Sequence, residues 1–183
     1  RLVSISMMHK LKGHYLDTKH PIIVENLMGI KRTKGSIQRG KKPILINHLK
    51  AIVNVINKEK IEEIKKIRDK SIILVGFGGG FRRTELISID YEDLEFVPEG
   101  VKITLRRSKT DQFGEGMTKG LPYFTNETYC PVAHLKKWIK ISNIKDGPVF
   151  RRFAKGCSLT SNRLTDQSVV LLIKKYLALA GIE

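Results

Sequence analysis

Apolar residues recur along this chain at two spacings, and the switches between them mark out its elements. From Leu45 they fall three and four apart: Leu45, Leu49, Ile52, Val53 and Ile56 make one stripe, with Lys50, Asn54 and Asn57 off it. This is the period of a helix that buries one face. A second helix is expected from near Lys60, with Ile61 and Ile64 inward and Glu62 in register with Lys66, a helical ion-pair spacing. It runs into residues 72–75, apolar at every position and so buried all round. After Asp90 the period drops to two. Leu94 and Phe96 flank Glu95, and Val101, Ile103 and Leu105 alternate with Lys102, Thr104 and Arg106, as strands with one covered face do. Pro98-Glu99-Gly100 supplies the turn between them, and a turn over 111–116 leads to a third strand near 119–124. Helical spacing then returns twice. Pro131 opens a helix with Val132, Leu135, Trp138 and Ile139 inward. A last helix follows Thr165 on the stripe Val169, Leu172, Ile173, Tyr176, Leu177 and Ala180, with Gly181 as its stop. The fold class is therefore mainly α with a small antiparallel three-stranded sheet.

Upstream, residues 7–29 carry scattered apolar positions, a loop-like LDTKHP segment and a short helix over 22–28, the tail of a helical module. Residues 29–42 hold Lys31, Arg32, Lys34, Arg39, Lys41 and Lys42 with three glycines and almost nothing apolar, which predicts a flexible basic linker. The expected division is 1–30 for the module's end, 31–42 for the linker and 43–183 for the main domain.

Charge narrows the partners. The 183 residues include 34 Lys+Arg against 18 Asp+Glu, a net charge of +16, enough to attract a polyanion over a wide surface. Nucleic acid is the expected partner. A membrane surface calls for a basic amphipathic helix or a lipid signal, and neither is read here. The longest apolar stretch, residues 72–81, contains four glycines and is too short to span a bilayer. A cytoplasmic protein is expected. Cys130 and Cys157 have no CxxC or CxxH spacing nearby, so neither a disulfide framework nor a zinc site is suggested, and both are read as reduced bystanders.

The segment SIILVGFGGGFRRTELISID is the most informative. A buried apolar run delivers Arg82, and an arginine in such a place needs a carboxylate, carbonyls or a bound phosphate. Glu85, three positions on, is placed to orient it, and Asp90 is a further candidate partner. Residues 76–80 also invite a dinucleotide-loop reading. That fingerprint needs glycine where Phe81 stands, and no GxxxxGK[ST] is present. A nucleotide-binding enzyme is therefore a distant alternative.

Gly80-Phe81-Arg82-Arg83-Thr84-Glu85-Leu86 resembles the first arginine box of the tyrosine recombinases, the phage-integrase class, typically GLRxSEL. Leu105-Arg106-Arg107-Ser108-Lys109-Thr110-Asp111 is similar to the hairpin carrying that family's catalytic lysine. HPIIVENLMGIKRTKG looks like the end of its N-terminal DNA-binding helical domain, and CPVAHLKKWI and GPVFRR match later landmarks. The resemblance implies a recombinase catalytic fold, incomplete at its C-terminus, that acts in DNA integration and site-specific recombination. Double-stranded DNA and other recombinase protomers would be its partners, with no metal or other cofactor. It would be of bacterial or phage origin and nucleoid-associated.

The chemistry of that family explains the residue types. Displacement at phosphorus concentrates charge on two nonbridging oxygens, which one guanidinium can neutralise through paired hydrogen bonds; that role is implied for Arg82, with Glu85 in support. A departing 5′ oxygen needs a proton, which is implied to come from Lys109. DNA contacts are expected from the basic linker, from Arg83, Arg106 and Arg107, and from Arg151 and Arg152 on a cationic hairpin. The family continues with an HxxR box and a nucleophilic tyrosine, which are not found here. His9 and His134 head basic helix faces, Tyr176 lies on a core stripe, and Tyr15, Tyr91, Tyr123 and Tyr129 precede the expected place. The chain is thus expected to bind DNA without forming the covalent intermediate. The alternative is a non-catalytic DNA-binding module or a recombinase relic. Two departures from the family pattern, the glycine run before Arg82 and Leu45 in place of a threonine-like helix cap, point to relaxed catalytic demand. The absence of last helices predicts an open apolar face.

Overall fold

The computed structural model describes residues 2–35, 43–106 and 116–182. Arg39, Lys41, Lys42, Arg107 and Lys109 lie outside the described residues. The chain divides into two compact units, Arg1–Pro43 and Ile44–Glu183.

The first unit has two helices, α1 (Leu2–Leu11) and α2 (Pro21–Lys34), neither with a buried residue. Proline stands at the first turn of α2, where its missing N–H costs nothing. The helix runs past residue 28, so Lys31, Arg32 and Lys34 belong to its last turn instead of a flexible linker. Positive charge there complements the helix dipole, and α2 stops at Gly35, whose φ is 71°.

The second unit runs α3 (Ile46–Lys58), α4 (Glu63–Gly78), α5 (Arg83–Ser88), β1 (Leu94–Val97), β2 (Gly100–Leu105), β3 (Met117–Pro122), α6 (Pro131–Ser142), β4 (Arg151–Phe153), β5 (Leu159–Arg163) and α7 (Asp166–Leu179). Strands β1, β2 and β3 form the antiparallel three-stranded sheet in that order, and β4 pairs with β5 as a separate hairpin. Val101, Ile103 and Leu105 of β2 turn into a core shared with Ile67, Ile72 and Val75 of α4 and Val132, Leu135 and Trp138 of α6. A second cluster joins Leu49, Ile52, Val53 and Ile56 of α3 to Ile73 and Leu74 of α4 and Tyr176 of α7. Residues 72–75 are apolar throughout because α4 has core on both sides.

Details depart from the periodicity. Leu45 is 57% exposed, since it precedes α3 as its cap; its N–H donates to Nδ1 of His48 at 3.2 Å, the reciprocal half of a capping box, while the acceptor a threonine would offer the first turn is not replaced. Helix α4 starts at Glu63, not near Lys60, and Lys66 lies 3.9 Å from Glu63 in place of Glu62. Phe96 is exposed on the edge strand, with the Lys136 ammonium 5.1 Å from its ring centre. Cys130 is no bystander: its sulfur caps α6, accepting from Ala133 N at 3.5 Å and from Phe124 N at 3.3 Å. Helix α7 is capped by Thr165 and ends at Gly181, whose φ is 67°. An apolar groove of about 210 Å³ opens between α3, α4 and α7, lined by Leu49, Ile73, Phe77, Phe81, Val169 and Ile173.

Candidate nucleic-acid interface

The end of α4 sets the position of Arg82. Gly80 has φ of 55°, a left-handed conformation that glycine adopts without strain. There the Gly80 N–H donates to Phe77 O at 3.2 Å and the Phe81 N–H to Gly76 O at 3.1 Å, the paired bonds of a Schellman ending. A side chain at Gly79 would meet the Phe81 ring at 2.2 Å. The glycine run is therefore a helix stop with the ring of Phe81 folded against it. It gives the first departure from the family pattern a structural role, and it rules out the strand-to-loop geometry that a dinucleotide site requires.

One residue later the chain enters α5 with Arg82 as its cap. Glu85 Oε2 accepts the Arg82 N–H at 3.0 Å, while Oε1 accepts from the Arg82 guanidinium at 2.8 Å. The Glu85 side chain is 5% exposed and that of Arg82 is 49% exposed. The carboxylate thus holds the guanidinium while about half of the arginine side chain stays exposed. Lys119 of β3 closes the corner from beneath. Its ammonium lies 3.6 Å from Glu85 Oε2, donates to Gly79 O at 3.2 Å and Gly80 O at 3.3 Å, and stands 4.6 Å from the Phe81 ring centre. The C-terminal end of α4, which carries partial negative charge, is thereby tied to the sheet.

The other basic residues divide by how their donors are used. Arg83 is about half exposed and lies 3.7 Å from Asp166. Arg106 bonds Asp93 at 2.7 Å and lies 3.8 Å from Asp90; the carboxylate bond from Asp93 and its charge raise the Arg106 pKa. Asp90, a candidate partner for Arg82, instead holds Arg163 at 2.5 Å. Arg151 is turned inward, 15% exposed, with its guanidinium on the carbonyls of Pro148 and Asp146. Arg152 is exposed on β4. Lys31, Arg32 and Lys34 are exposed on α2 in the first unit.

Tyr176 is 1% exposed and donates to Asp69 Oδ2 at 2.8 Å, while Asp69 Oδ1 accepts two bonds from Arg68 at 2.7 and 2.9 Å. Burial and the adjacent carboxylate push the Tyr176 hydroxyl well above the ordinary tyrosine range. It is a protonated core group. Among the described residues no cluster of three or more His, Cys, Asp or Glu is placed to hold a metal ion, and no helix is long and apolar enough to cross a membrane.

No family model matches the chain. An integrase/recombinase described as a XerD homolog, from Selenomonas ruminantium, is 40% identical over 186 residues, taking in all of this chain and 54% of the relative. The chain is thus similar in sequence, over its whole length, to an integrase/recombinase. It spans about half the length of that recombinase. Among solved structures, XerH site-specific recombinase bound to palindromic difH substrate in a post-cleavage complex superposes with a TM-score of 0.58 at 17% identity, over 81% of this chain and 39% of that one. XerA recombinase gives a TM-score of 0.53 at 13% identity, over 98% and 68%. At these identities the likeness is one of fold, and it is the recombinase fold.

Within that fold the structure brings Arg82, Glu85 and Arg83 to one corner. It adds Lys119, which sequence reasoning missed. Lys119 falls on the third predicted strand with no motif around it, and only the antiparallel register, with Ile103 opposite Lys119, carries it under the end of α4. Arg163 was likewise invisible; it ties β5 to the end of α5 through Ile87 O and Asp90.

Proposed function

We propose that the chain binds duplex DNA and presents Arg82 to a backbone phosphate, as part of a recombinase that in its whole length performs site-specific strand exchange. The carrying observation is the Arg82–Glu85 arrangement: a guanidinium held at 2.8 Å by a buried carboxylate while about half its side chain stays exposed. Two cations, Arg82 and Lys119, share that one carboxylate, so these three groups together carry net positive charge suited to a phosphate. An arginine fixed from behind loses little further freedom on binding, and its planar fork can reach two nonbridging oxygens. Lys109, which follows β2 in sequence, serves as general acid to the leaving 5′ oxygen. Arg83 and Arg152, with the basic run from Lys31 to Lys42, follow the flanking phosphates. Residues 1–30 and 43–183 correspond to the end of a helical DNA-binding domain and to the first part of the catalytic domain. Attack on phosphorus is not assigned to any of the five tyrosines in this chain, so the piece binds DNA without cutting it.

Titrating the 183-residue chain with duplex DNA at rising salt tests this. Binding is expected to weaken steeply and linearly in log–log form as phosphate contacts release counterions. A nicked duplex that traps phosphotyrosine is expected to be bound with no covalent adduct. Absence of salt-sensitive binding overturns the DNA reading, and an adduct overturns the placement of the nucleophile outside these tyrosines.

A further inference from the structure

Lys119 shows how this fold settles a lysine within its framework, with a carboxylate, two carbonyls and an aromatic ring. Lys70 of α4 is treated differently. It is 8% exposed, yet its ammonium, with three protons to donate, makes one hydrogen bond, to Asn57 Oδ1 at 3.0 Å. Among the described residues no carboxylate lies within 4.0 Å of it. Burial, and after it the positive charge of Lys137, pulls its pKa below the ordinary lysine value; Glu63 opposes this and Lys66 adds to it. A buried cation without a counter-ion is costly, several kcal/mol in general, and its position invites an anion.

A cleft of about 450 Å³ lies beside it, between α3, α4 and α6, lined by Asn57, Lys70, Glu127, Thr128, His134 and Lys137. Lys137 is exposed and, like Glu127 and Lys70, is in no ion pair among the described residues. His134 adds a second unmet need. Its Nε2 lies 3.0 Å from Thr128 O, and a carbonyl only accepts, so in the neutral ring Nε2 carries the proton and Nδ1 a lone pair. Desolvation, partly offset by this bond, lowers the His134 pKa and favours that neutral ring. Nδ1 is buried and without a hydrogen-bond partner.

We propose that this cleft is a phosphate site that takes a phosphomonoester or inorganic phosphate, with Lys70 and Lys137 as its cationic wall. Phosphate oxygens accept from both ammoniums, from the Asn57 amide and from the Thr128 hydroxyl. The P–OH of the monohydrogen form donates to His134 Nδ1. Inorganic phosphate carries such a proton at neutral pH, and a phosphomonoester carries it in its monoanion, populated around and below a second pKa of about 6, whereas sulfate, a backbone phosphodiester and a carboxylate have none. The phosphate belongs either to a free ligand or to the phosphorylated end of a nucleic acid. This assignment does not rest on the DNA contact proposed for Arg82.

The test is the His134 ring resonance of the 183-residue chain, followed by NMR during titration with inorganic phosphate at constant ionic strength. A saturating shift is expected, with sulfate at least roughly fivefold weaker and chloride without effect. Lys137→Met removes an exposed side chain and is expected to weaken phosphate at least roughly fivefold. Lys70→Met replaces a lone buried cation with an apolar chain of similar length, so it is expected to abolish the shift while leaving the melting temperature unchanged or higher. An oligonucleotide with a 5′ phosphate that reproduces the shift, where its unphosphorylated twin does not, identifies a nucleic-acid end; equal inactivity of both identifies a free ligand. A non-saturating shift matched by chloride overturns the proposal. So does full phosphate binding by either variant, loss of folding in Lys70→Met together with unchanged binding in Lys137→Met, or an equal shift from unphosphorylated duplex.

Discussion

Replacing Lys119 with methionine removes the ammonium that ties the Arg82 corner to β3 while keeping most of the stem that covers Phe81. Hydrogen bonds to a charged donor are worth about 1.5–3 kcal/mol each at good geometry. The two carbonyl bonds here are 3.2 and 3.3 Å, longer than the usual mode, so about 1 kcal/mol for the pair is reasonable. The ring contact adds about 0.5–1 kcal/mol, and the 3.6 Å ion pair to Glu85, partly screened because Lys119 keeps 23% of its side-chain surface exposed, adds no more than a surface pair of about 0.5 kcal/mol. The total is near 2 kcal/mol, which in a domain of this size lowers Tm by roughly 4–8 °C. Urea and thermal melts of Lys119→Met and Lys119→Arg measure it, with the arginine variant expected to recover at least half. DNA affinity supplies the second reading: if Lys119 acts through Arg82, its loss weakens binding in the native background and has little effect once Arg82 is alanine. A melt within about 0.5 kcal/mol of the parent, the ordinary range for uninvolved surface positions, refutes the clamp. An effect on DNA of the same size in both backgrounds makes Lys119 an independent phosphate contact.

Other consequences follow from the same packing. Tyr176→Phe leaves Asp69 Oδ2 buried without its donor and is expected to cost about 1.5–3 kcal/mol in urea melts, with DNA affinity unchanged; a loss of binding at equal stability would place Tyr176 at the interface. Because the folded-state value of Tyr176 is raised, its contribution is complete below about pH 10, the ordinary tyrosine value, and falls as pH rises above it. Parent and Tyr176→Phe stabilities should therefore converge above pH 10, and a gap that widens there would contradict the sign. Gly80→Ala forces a side chain into the left-handed ending of α4 at a cost of about 1–2 kcal/mol, measured by the same melts. Gly79→Ala drives Phe81 from its place and is expected to weaken DNA binding along with stability; unchanged binding would separate the Phe81 ring from the placing of Arg82.

Local pattern carried far in this chain. The helical stripe of α3, the alternation of β2, proline at the start of α6 and the glycine after α7 are each set by neighbours in sequence, and each lies where its spacing puts it. Legibility ended where the cause is tertiary. The glycine run is a local exception: composition alone does not tell a run that weakens a helix from one that stops it, and the difference lies in Gly80 turning left-handed with the Phe81 ring folded back on Gly79. Basic residues look alike along the chain, whereas the fold commits Arg106, Arg151 and Arg163 to carboxylates and carbonyls and leaves Arg152 exposed. The family box led to Arg82 and Glu85, but Lys119 became visible only through strand register. Lys70 reads in sequence as one more helix lysine; its burial and single bond come from α3 and α6 packing around it.

The central claim, that Arg82 faces a DNA phosphate, is tested most directly by the salt dependence of duplex binding for the parent chain and Arg82→Ala, with thermal melts to confirm folding. Losing one charge-assisted phosphate contact is expected to weaken binding about 10-fold or more at moderate salt and to reduce the log–log salt slope by about one unit, uniformly across sequences. A folded Arg82→Ala chain whose affinity and slope both match the parent would contradict the account.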